Sequence, residues 1–244
     1  MEISIIAKLV FISAITVLLL IKKDNNQVEY FPQQTWSTRE VLPVYWIFIF
    51  ISLILLIFYK TYPFGYLYII ALYVSTFLAG SILMFAAKMT LGRRGIKSLK
   101  VIGAKSSDLY WLLILIAIQY SILLVSLYNK NFAADQTRIP WILLYFSIIL
   151  LFWPAIESVF YLGMMLIPTS RIVGLIKSAV LISLLQALSH FNYSSAEVLV
   201  NFSIFGLLGC YLYIKSKRII VPLLVHSSIN FLILMRDLKS VVAG

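Results

Sequence analysis

Acidic side chains are scarce in this sequence. Nine Asp and Glu stand against twenty Lys and Arg in 244 residues, and charged residues of both signs make up 12% of the chain. Soluble domains carry about 25%, so an ordinary water-facing globular domain is excluded. Histidine is scarcer still, with two, and the single cysteine, Cys210, excludes an intramolecular disulfide. Cys210 lies inside an apolar run, where a small packing residue fits. Strict apolar–polar alternation is missing, which excludes a transmembrane β-barrel. Repeats, low-complexity tracts and long linkers are missing too, so the simplest reading is a single integral membrane domain over residues 1–244.

What fills the chain is apolar: 62% of residues are hydrophobic and the mean hydropathy is +0.99. A hydrocarbon core about 30 Å thick takes roughly 20 apolar residues per helical crossing, and backbone in lipid must satisfy its own hydrogen bonds. The expectation is an all-α polytopic transmembrane bundle of about eight helices, near 3–21, 43–59, 65–87, 109–128, 141–167, 173–191, 197–214 and 219–235. The first run closes on a basic pair, Lys22 and Lys23, with no small-residue cleavage site, and reads as a retained anchor.

With eight spans, fourteen of the twenty Lys and Arg fall on the side holding the loops after the first, third, fifth and seventh spans. Basic loops stay cytoplasmic, so both termini are expected outside. The net charge of +11 sits at helix ends and in the 88–105 loop, where anionic lipid headgroups are the nearer partner; no nucleic acid is expected. That loop reads either as an amphipathic helix on the cytoplasmic leaflet or as a solvated basic segment.

Charge at bilayer depth is expensive and marks function. Among the nine acids only Glu157 falls deep in a span, about 15 Å from the 167 end by helical rise. Pro154, three residues earlier, cannot donate to the carbonyl of Leu150 and should bend the helix beside the acid. Both histidines, His190 and His226, fall in the last three apolar segments, and Asn230 stands one helical turn from His226. One acid, two imidazoles and one carboxamide are the inventory for water-mediated hydrolysis: a base, a second proton carrier and an oxyanion donor. The bland alternative is that these groups only hydrogen-bond neighbouring helices, for about 0.6 kcal/mol each.

The ordered stretches "ESVFYLG" (157–163), "QALSH" (186–190) and "HSSIN" (226–230) resemble the three motifs of the CPBP family of intramembrane proteases, also called Abi or CAAX-protease-like. The resemblance covers roughly 141–235, the expected catalytic core. It implies that Glu157 activates water, that His190 helps handle it, and that His226 and Asn230 stabilise the oxyanion. Three positions depart from the family pattern: Ser158 replaces a second glutamate, Leu162 an arginine, and Gln186 a phenylalanine. These departures put rate and substrate choice in question.

Glutamate with two histidines is also a zinc ligand set. The sequence holds no H-E-x-x-H motif, and the resemblance implies a metal-independent mechanism, so neither a metal nor another cofactor is expected. The implied function is an intramembrane endopeptidase acting on a hydrophobic or membrane-inserted peptide or protein. The relatives point to bacteriocin or signal-peptide maturation, self-immunity, or trimming of a prenylated protein. An Ile-, Lys-, Asn-, Tyr- and Phe-rich composition fits an AT-rich bacterial genome, hence a bacterial plasma membrane, and weighs against the prenyl substrate. A catalytically silent scaffold or immunity factor is the rival, and a transporter with Glu157 as proton relay a weaker third.

Overall fold

The structure, a computed structural model, describes residues 2–21, 37–61, 103–129, 139–191 and 194–243, with Val74, Leu78 and Ser81. The expected third span at 65–87 and nearly all of the basic 88–105 loop lie outside the described residues. Among those residues every regular element is a helix and none is a strand. The helices are α1 (Glu2–Ile21), α2 (Thr38–Thr61), α3 (Ser106–Asn129), α4 (139–173), α5 (Leu175–Leu188), α6 (Ser195–Ser216) and α7 (Ile220–Ala243).

Three of them are long and apolar enough to cross a membrane: Ser106–Leu127, Leu143–Val173 and Ser195–Ser216. Shorter apolar helices cover Ile5–Ile21, Leu175–Leu188 and Ile220–Arg236. The expected count of about eight crossings is therefore met only in part, and the chain is a helical membrane protein.

α4 runs past the expected stop at 167. Pro168 lies inside this helix, in the segment Ile167–Val173 that follows the preceding stretch without a break, and the helix ends only at Gly174, whose φ of 83° suits glycine. Within α4 the bonding widens to a π register over Ile148–Phe152 and again over Ser158–Leu166, leaving one α-helical turn, Trp153–Glu157, between them. Such widened turns gather at functional sites.

The main core lies between α1, α2, α4, α5 and α6. Phe48 of α2 stacks on Phe160 of α4 with centroids 5.0 Å apart and planes 4° from parallel, and Tyr45 donates its hydroxyl to the Leu185 carbonyl at 3.2 Å. A smaller cluster joins α3, α4 and α7 through Leu123, Phe146 and Phe231. α5 and α6 meet closely at Gly206, where an added Cβ would overlap Ser183 and lie 2.8 Å from its Cα. Small residues permit such close approach between membrane helices.

At one end of the bundle Arg218, in the α6–α7 turn, pairs with Asp108 at the start of α3. Asp108 also accepts from the Lys105 backbone N–H at 2.8 Å. Lys217 takes a left-handed φ of 53°, and Gly103, itself at φ 77°, lies so close to the Lys217 carbonyl that a Cβ would overlap it. Two basic loops that the charge bias assigns to one side thus meet at one end. Glu197, one of the nine acids, forms a capping box with Ser194 at the start of α6.

Candidate active site

α5 stops at Leu188, three residues short of the expected boundary at 191. The cause is local. The Gln186 carbonyl is taken by two side chains, the Ser189 hydroxyl at 2.7 Å and His190 Nδ1 at 3.0 Å, while the His190 backbone N–H turns to Ala187 at 3.4 Å. Fourteen residues of helix rise only about 21 Å, well short of a hydrocarbon core. His190 lies just beyond the end of this short helix, where it and His226 of α7 reach the same carboxylate.

The meeting point is Glu157. Its Oε1 lies 3.3 Å from His190 Nε2 and its Oε2 3.7 Å from His226 Nε2. The carboxylate is 3% exposed. A carbonyl oxygen only accepts, so the bond to Gln186 requires a hydrogen on His190 Nδ1. The Nε2–carboxylate contact then needs one further proton, held by imidazole or acid. Glu157 and His190 are thus a proton-sharing pair.

His226 follows Pro222 on α7, and its ring lies 4.3 Å from that of Phe205, centroid to centroid. Beside it Ser227 is fully buried and exchanges a 3.3 Å hydrogen bond with Gln119 of α3. The remaining candidate, Asn230, is placed differently. Its carboxamide donates to the Ile149 carbonyl at 3.0 Å. In the π register Trp153 bonds Ile148, so the next residue, Pro154, would have served Ile149. Proline has no N–H, and Asn230 supplies the missing donor. The sequence reading placed the orphaned carbonyl one residue later, at Leu150, because it counted in α-helical register.

Glu157 and His226 line a small hollow, open at its mouth, with a volume of about 10 Å³, room for about one water molecule. Its walls include Ser158, Leu162 and Gln186, the three positions that depart from the family pattern, and the apolar Phe205 and Val225. Asn230 and His190 are not among the lining residues. Among the described residues no group of three His, Cys, Asp or Glu side chains is arranged to hold a metal ion.

Sequence reasoning missed three supports. Lys8 of α1 donates from Nζ to the His190 carbonyl at 3.0 Å; a lone lysine within an apolar run was the available signal, but it had been counted only as loop charge. Tyr161 donates to Ser189 Oγ at 3.0 Å, and Tyr45 holds the last turn of α5. Nothing in a linear reading singles out two tyrosines among fifteen.

Residues 139–232 match the family model described as type II CAAX prenyl endopeptidase Rce1-like. No curated protein and no solved structure matches the chain. The matched stretch holds Glu157, His190, His226 and Asn230 together, with the hollow that two of them line. Over residues 139–232 the chain is similar to the type II CAAX prenyl endopeptidase Rce1-like family.

Proposed function

We propose that the protein is an intramembrane endopeptidase in which Glu157 activates water for attack on a peptide carbonyl. The observation that carries this reading is the contact of one buried carboxylate with both of the chain's imidazoles, at 3.3 and 3.7 Å. Glu157 takes a proton from water as the oxygen bonds to the carbonyl carbon, His226 donates to the resulting oxyanion, and His190 passes a proton to the leaving amine as the C–N bond breaks. Asn230 keeps one amide N–H beyond the one bound by Ile149 and stands one turn behind His226. No metal or other cofactor takes part in this scheme. The substrate is a hydrophobic or membrane-inserted peptide or protein in a bacterial plasma membrane, within the range of bacteriocin processing or self-immunity, and lipids are the standing partners.

The test compares membrane peptides from cells carrying wild type, Glu157→Gln and His190→Ala. Cleavage products present only with wild type, and not restored by added zinc, support the glutamate mechanism. Unchanged function in both variants at normal membrane levels defeats it. Such a result favours the rival reading, a catalytically silent scaffold or immunity factor, to which Ser158 and Leu162 lend weight because they remove the family's charged groups from the wall beside Glu157.

A further inference from the structure

The Gln186 side chain is buried at 4% exposure in the wall of the hollow. Its backbone carbonyl is engaged by Ser189 and His190, but among the described residues no hydrogen bond engages its carboxamide. The Ser158 hydroxyl, next to Glu157 and also 4% exposed, is in the same condition. Neither group is among the buried side-chain atoms left without a partner, so both stay open to the hollow they line, where the polar groups of a ligand can take the place of water. Both groups face the space in which Glu157 would act.

Their chemistry names a partner. A carboxamide offers N–H donors beside a C=O acceptor, the complement of a peptide group, and a hydroxyl can give and accept one bond more. Gln186 lies in the last turn of α5, which ends at Leu188 before His190. Among the described residues no Lys or Arg lines the hollow, whereas Glu157 does. A free carboxylate brought there would lie beside another acid, with the His226 imidazole as the one basic side chain among the described lining residues.

We propose that Gln186 and Ser158 hold the backbone of the segment presented to Glu157, and that the hollow takes an internal, uncharged stretch of peptide, not a chain end with a free carboxylate. This rests on the peptide-hydrolysis reading and adds the residues that set its substrate class.

The experiment measures binding to the Glu157→Gln protein in detergent, so that affinity is read without turnover. The probe is a short fluorescent Leu/Ala peptide with an amidated C-terminus; companions carry backbone esters in place of the central amides, or a free carboxylate. On the Glu157→Gln background, Gln186→Leu and Ser158→Ala each weaken binding of the amide peptide about fivefold, as expected for one hydrogen bond. The ester weakens binding by a similar factor with Gln186 present and by nothing further in Gln186→Leu. Thermal stability stays near that of the parent in Gln186→Leu, because the amide makes no hydrogen bond within the protein and the replacement is of similar size. The carboxylate peptide binds more weakly than the amide in a His190→Ala protein that keeps Glu157, and the gap narrows in Glu157→Gln.

Undetectable binding, equal affinity in both variants, ester and Gln186 losses that simply add, or preference for the carboxylate each overturns the proposal. The hydrolysis reading is judged separately. Products lost in Glu157→Gln alongside Gln186-independent binding sink this inference and leave hydrolysis standing. Gln186-dependent binding with no Glu157-dependent product sinks hydrolysis and leaves the peptide site.

Discussion

Asn230 donates its side-chain amide to the carbonyl of Ile149 at 3.0 Å, across two helices and 81 residues of chain. The bond closes the gap that Pro154 opens in the π-helical stretch of α4, and it ties the stretch just before the turn bearing Glu157 to the helix bearing His226. A kink and a strut are therefore one device.

That device predicts a coupling. Asn230→Ala should destabilise the protein by about 1 kcal/mol. Pro154→Ala restores a backbone N–H to serve Ile149, so the same Asn230 change made on that background should cost little. A double-mutant cycle, read from denaturant unfolding in detergent, should return an interaction energy of at least about 0.5 kcal/mol. Strict additivity would mean that the proline and the carboxamide serve unrelated carbonyls.

The approach of α5 and α6 predicts a steric effect. Gly206→Ala places a methyl on Ser183, and the backbone Cα of that residue cannot move aside as a long side chain would. A loss of about 1 to 3 kcal/mol is expected in thermal unfolding. Ser183→Gly removes the opposing Cβ and should recover part of it. No recovery would place the strain elsewhere.

Lys8 predicts a separation of rate from folding. Lys8→Met keeps the apolar stem and removes the donor to the His190 carbonyl. Membrane accumulation should stay near wild type, while the cleavage rate falls about tenfold, as expected for one lost charge-assisted hydrogen bond that orients a proton carrier. Wild-type rates in Lys8→Met would show that the turn after α5 holds His190 without help from α1.

Much of the site was legible before any coordinates, and for one reason. A carboxyl at membrane depth cannot be paid for by water, so Glu157 stood out, and two histidines confined to apolar helices stood out with it. The contacts of Glu157 with His190 and His226 are what those placements suggest. Lys8 was legible as a charge in the wrong place and illegible as a donor, because its acceptor is a backbone carbonyl 182 residues away. Asn230 was legible as a neighbour of His226, but its partner depends on a helical register that composition does not encode.

Composition and the placement of rare polar residues pointed, by themselves, to a membrane helical bundle with one acid deep in a span and both histidines in its last three apolar segments. The tertiary structure alone decided where α5 stops, which carbonyl Pro154 leaves without a donor, and that Ser158, Leu162 and Gln186 share the wall of the hollow beside Glu157. The physical reason is range. Hydrophobic burial is a property of each segment and can be summed along the chain, whereas a hydrogen bond depends on angles and on distances of a few tenths of an ångström between segments far apart in sequence.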